Sequence, residues 1–110
     1  LIAGILTPDS GRILYDFGAS VGAIQAIEEA GKKSGKDIVV ISIDGVRSAF
    51  DAMVEGKLNC TVECNPLIGP QLFDAIETVM AGKSVPKRIN VQESVYDETV
   101  AKDVIGSRKY

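Results

Sequence analysis

Short β-branched runs alternate with helical stripes of apolar residues along the chain. Arg12-Ile13-Leu14-Tyr15-Asp16-Phe17 has strand character, and a helical pattern follows over residues 19–33. There Val21, Ile24 and Ile27, filled in by Ala23 and Ala30, line one side, while Gln25, Glu28, Glu29 and Lys32 occupy the other. Ser34-Gly35-Lys36 is expected to end that helix. Ile38-Val39-Val40-Ile41-Ser42-Ile43 reads as the continuous apolar run of a strand covered on both faces. Val46, Ala49, Phe50 and Met53 recur at helical spacing and predict a second helix over 46–55, stopped by Gly56.

Residues 58–64 predict a third strand. A third helix spans 66–81, its apolar face built from Ile68, Leu72, Phe73, Ile76, Val79 and Met80; Pro70 belongs in its first turn, so the regular helix begins near Gly69. Ile89, Val91 and Val95 alternate with Asn90, Gln92 and Ser94, suggesting a fourth strand with one wetter face, and residues 98–105 suggest a short last helix. The succession β-α-β-α-β-α-β with short connections predicts an α/β fold: a mainly parallel sheet of about four strands, right-handed crossovers, and helices on both faces.

Length and composition narrow the picture. The 110 residues make one domain, with 45% apolar and 25% charged residues, an ordinary globular mixture. The net charge of -3 comes without any block of Lys or Arg, which speaks against nucleic acid or an anionic membrane as partner. Histidine is absent, removing Ser-His and Cys-His nucleophiles and imidazole metal ligands. No apolar run approaches the roughly 20 residues of a membrane span, and no secretory signal is recognisable in the chain as it stands. Cys60 and Cys64, if both in a strand, share a face but lie about 13 Å apart, too far for a disulfide. They read as buried, reduced small hydrophobes.

Candidate chemistry gathers at the carboxyl ends of the strands, where ligands of open α/β sheets bind. The first strand ends in Asp16-Phe17, the second in Asp44-Gly45, the third in Glu63-Cys64-Asn65. Carboxylates accept several hydrogen bonds and Asn both donates and accepts, so such a rim suits polyhydroxylated ligands, with Phe17 against sugar CH groups. Two other readings stand beside this one: Asp44 as the N-cap of the following helix, and the carboxylates as a Mg²⁺ site for phosphoryl transfer, for which no strand end supplies a phosphate-cradling cation. Gly18-Ala19-Ser20-Val21-Gly22 lacks both phosphate-loop patterns, and tight helix packing explains its glycines better. Lys32, Lys33 and Lys36 read as a solvated helix end that complements the dipole. No nucleophile–base pair can be assembled, so no enzymatic activity and no cofactor are expected.

From about Val21 onward the chain resembles the C-terminal part of periplasmic sugar-binding proteins, the ribose- and galactofuranose-type receptors of ABC transporters. The resemblance rests on Gly22-Ala23-Ile24-Gln25-Ala26-Ile27, Ser42-Ile43-Asp44-Gly45-Val46 and Thr61-Val62-Glu63-Cys64-Asn65-Pro66-Leu67-Ile68-Gly69-Pro70, and covers roughly four fifths of the chain. It implies half of a periplasmic-binding-protein fold, a sugar ligand held by Asp44 and by Cys64 with Glu63 and Asn65 beside it, transporter membrane components as partners, and a periplasmic or extracytoplasmic location. The Asn-Asp pair usual in the family is replaced by Asp16-Phe17. Residues 1–17 are similar instead to a segment of ABC-transporter ATPases lacking its phosphate loop, which suggests a junction near residue 17. In the family the helix over 66–81 belongs to the other lobe, so here it is expected either to pack back on the same sheet, in a flavodoxin-like layer, or to cover itself in a homodimer or segment swap.

Overall fold

The computed structural model describes residues 13–17, for which only the backbone is considered, and 20–110. Four strands form one sheet in the order β1 (Ile13–Phe17), β2 (Val39–Asp44), β3 (Cys60–Glu63) and β4 (Val95–Asp97). β1, β2 and β3 run parallel, whereas β4 pairs antiparallel with β3. Between them lie α1 (Ser20–Glu29), α2 (Arg47–Val54) and α3 (Gly69–Met80), with α4 (Ala101–Val104) and a 3₁₀ turn at Ile105–Ser107 closing the chain.

A single core forms where Ile24 and Ile27 of α1 and Ala49, Phe50, Ala52 and Met53 of α2 meet Val40, Leu58 and Ala101. α1, α2 and α4 therefore cover one face of the sheet, the face to which Val40 and Ser42 turn. Side chains alternate along a strand, and the opposite face leaves Val39, Val62 and Val95 open to solvent. Cover by helices, expected on both faces, is found on one among the described residues. Across that core Ser42 Oγ donates to Thr61 Oγ1 at 2.8 Å, so the two buried hydroxyls satisfy each other.

Several expectations are corrected. α1 stops at Glu29, four residues early, because Gly31 adopts φ 72 and the Lys32 N–H bonds back to Ile27 O at 3.1 Å. Lys32, Lys33 and Lys36 consequently lie beyond the helix, and its last turn holds no basic residue. β3 ends at Glu63, so Cys64 falls outside it and is exposed, while Cys60 is half-buried; the expectation of two buried thiols fails for Cys64. Ile89 and Val91 are not in a strand. They border a shallow apolar groove with Ile68, Leu72 and Ala75 of the α3 segment.

α3 itself has no buried residue: Leu72 is 52% exposed, Phe73 64% and Met80 83%. It does not pack back on the sheet. The chain leaves β3, makes this excursion, and returns from the opposite direction, which is why β4 enters the sheet antiparallel. Among the described residues no helix is long and apolar enough to cross a membrane.

Candidate functional site

The parallel register brings the carboxyl ends of three strands to one rim. Asp16 pairs with Ser42 and Phe17 with Ile43, while Asp44 stands opposite Glu63. The side chains of Asp16 and Phe17 lie outside what the structure describes. Asp44, Glu63, Cys64 and Asn65 are brought together at the ends of β2 and β3.

Asp44 has φ 97, the sole positive φ among the described non-glycine residues. Such backbone costs on the order of 1–3 kcal/mol and persists only where its surroundings hold it. Gly45 follows at φ 65, and a Cβ there would come within 3.2 Å of Glu63 Cα and 3.3 Å of Arg108 Nη2, so glycine is required both by conformation and by space. The Asp44 main-chain oxygen accepts from Cys64 N at 3.4 Å. Its half-buried carboxylate makes no hydrogen bond to the described residues. The capping reading is set aside, because the residue before α2 is Val46 and no side chain caps that helix.

Glu63 differs from the expectation of a carboxylate open to hydroxyls. It is 8% exposed, and Oε1 accepts from Arg108 Nη1 at 2.8 Å and from the Tyr110 hydroxyl at 2.6 Å. Oε2 accepts from Ser94 N at 3.2 Å and more weakly from the Tyr96 hydroxyl at 3.4 Å. Burial pushes this carboxyl up, but the hydrogen bonds from Tyr110 and Arg108 and the guanidinium charge outweigh it and hold the group below the usual carboxylate range. Burial pulls the Arg108 guanidinium down, and the bond and charge of Glu63 more than restore it. Tyr110 is raised by burial and by its bond to Glu63.

Arg108 also donates from Nη2 to Gly45 O at 2.7 Å and lies against three rings, 4.9 Å from Phe50, 5.4 Å from Tyr96 and 4.5 Å from Tyr110. These partners were missed from sequence. One signal was available: Glu63 shares the core-facing period of Thr61, and a carboxylate there demands a cation.

Asn65 forms a turn of its own, its Oδ1 accepting from Leu67 N at 2.8 Å while its N–H donates to Glu93 Oε1 at 3.0 Å. Cys64 is exposed beside it. Among the described residues the rim thus offers one carboxylate without a hydrogen bond, an amide NH₂ and a thiol. Among the described residues no group of three or more Cys, Asp or Glu is gathered to hold a metal, so the Mg²⁺ reading finds no cluster there.

No family model matches the chain. The galactofuranose-binding protein YtfQ of Escherichia coli (strain K12) is 40% identical over 90 residues, which are 81% of this chain and 28% of YtfQ. Two solved structures share the fold at 38% identity. One is the periplasmic binding protein component of the arabinose ABC transporter from Shewanella sp. ANA-3, bound to α- and β-L-arabinofuranose, with a TM-score of 0.80 over 88% of this chain and 33% of that one. The other, from Mycobacterium smegmatis in complex with β-D-fucofuranose, has a TM-score of 0.79 over 89% of this chain and 33% of its own. The chain therefore spans about a third or less of the relatives it matches. By sequence and by fold the chain resembles a part of the periplasmic sugar-binding proteins of ABC transport.

Proposed function

We propose that the chain carries one wall of a sugar-binding site and acts as a non-catalytic receptor segment. The observation that carries this reading is Asp44: a strained residue at a strand end whose carboxylate makes no hydrogen bond to the described residues. Sugar hydroxyls can donate to that carboxylate, while Cys64 and the Asn65 amide flank it. Relatives named for galactofuranose and crystallised with arabinofuranose and fucofuranose support a five-membered-ring sugar as ligand. Glu63 would shape the wall through Arg108 rather than touch the sugar.

Small-ligand sites bury about 70–90% of the ligand, and a single rim encloses far less. Affinity of the chain alone is therefore expected near the millimolar range, about -4 kcal/mol. Calorimetric titration with arabinose, galactose and fructose tests this. Heat that disappears in Asp44→Asn supports the reading; no heat at millimolar sugar leaves a folded fragment or chimera without ligand function. The same reading places the working protein outside the cytoplasm, beside transporter membrane components.

The exposed stripe of α3 favours a second element of the reading, cover by a second copy of the chain. Phe73 is 64% and Met80 83% exposed, and a standard interface covers ~800 Å² on each partner. The partner's uncovered sheet face, with Val39, Val62 and Val95, offers a complementary apolar surface. The mass in solution at about 100 μM decides it: a dimer supports cover by a copy, and a monomer overturns it.

A further inference from the structure

The turn that presents Asp44 is held from behind by the end of the chain, and we infer that Arg108 is the residue that positions the Asp44 carboxylate on the rim. The inference rests on reading Asp44 as a ligand contact, but its main test involves no ligand. One planar guanidinium reaches two acceptors: Nη2 donates to Gly45 O at 2.7 Å and Nη1 to Glu63 Oε1 at 2.8 Å. Gly45 directly follows Asp44, and Glu63 is its partner across the β2–β3 register. Arg108 thus ties together the two strand ends on either side of the strained residue.

Further contacts fix the clamp. The Tyr110 main-chain oxygen accepts from Arg47 N at 2.8 Å, holding the far side of the same turn, and the Tyr110 hydroxyl donates to Glu63. The guanidinium is sandwiched among Phe50, Tyr96 and Tyr110, with its side chain 7% exposed. Its Nε is buried without a hydrogen-bond partner among the described residues. The group is therefore placed to serve Gly45 and Glu63 even though one donor goes unused. A positive φ at Asp44 needs such over-determination from outside, because no hydrogen bond from its own side chain to the described residues supports it.

Arg108→Lys retains the charge beside Glu63 but has no fork to span both acceptors. NMR reads the consequence directly, since a positive φ brings the amide and α protons of one residue close and gives a strong intraresidue cross-peak. That cross-peak is expected at Asp44 in the native chain and lost in Arg108→Lys; its persistence in the variant would overturn the inference. Melting temperatures supply a second arm. Glycine accepts φ 97 without strain, so Arg108→Lys should lower the melting temperature less in an Asp44→Gly background than in the native one. Equal drops, or loss of folding in both backgrounds, would mean that Arg108 supports the body irrespective of Asp44 and would refute its positioning role. Where the native chain responds to sugar, Arg108→Lys should weaken that response. A native chain indifferent to sugar defeats the ligand reading alone, and the cross-peak still decides the role of Arg108.

Discussion

Two phenylalanines mark the contrast between the body of the molecule and its α3 arm. Phe50 sits at 0% exposure among α1, β2, α4 and the Arg108 cluster, whereas Phe73, on a helix of equally clear apolar periodicity, is 64% exposed. Both helices carry the stripe that argues for burial, and only one finds its cover within the chain. Apolar periodicity establishes that a face will be covered; it does not say by what. Relatives about three times as long share this segment.

Truncating the two rings should separate the regions most strongly. Phe50→Ala is expected to lower stability by about 3–5 kcal/mol, while Phe73→Ala stays within about 0.5 kcal/mol of the native chain in urea unfolding at protein concentrations dilute enough for a monomer. A comparable loss from Phe73→Ala would show that the arm is packed. Next in size is Arg108→Met, which strands the buried Glu63 carboxylate and should cost about 3 kcal/mol or more. The loss should shrink when Glu63→Gln accompanies it, and additive losses in that double-mutant cycle would deny the pair.

The body carries a pH dependence. Glu63 has a folded pKa below its unfolded value near 4.3, so its contribution is present above about pH 5 and is lost as pH falls through the folded pKa. Acid titration of stability should therefore show a loss as pH falls below about 5 that is smaller in Glu63→Gln. Tyr110 has the opposite sign: its raised pKa gives stability that is present below about pH 10 and lost as pH rises through the folded value. The smallest effect on stability is expected from Phe73→Lys, a change of about 0.5 kcal/mol at most. If a second copy covers α3, that variant lowers the solution mass to the monomer, and an unchanged dimer would place the contact elsewhere.

Much of the body was legible in the chain, because strands such as 38–43 and helices such as 46–55 carry strong periodic or continuous apolar patterns. The start of α3 followed from Pro70 alone. The end of α1 was not legible from the stripe, which runs to Ala30, whereas the left-handed Gly31 closes the helix at Glu29. β4 was displaced to Val95–Asp97 because Ile89 and Val91 are apolar for a different reason, their place beside α3. Asp44 emerged from its position at a strand end. Its support did not: Arg108 meets Glu63 across 45 residues of sequence, in a tail with no periodic pattern to announce it.

The most direct measurement is a residue-by-residue map of amide shifts as arabinose is added to the native chain up to tens of millimolar, about ten times the expected dissociation constant. Saturable shifts are expected at Asp44, Gly45 and Val46 and at Cys64 and Asn65, with none along α3. Shifts clustered on α3 or on the uncovered sheet face, or a spectrum that does not move, would contradict the proposal that this rim is a wall of a sugar site.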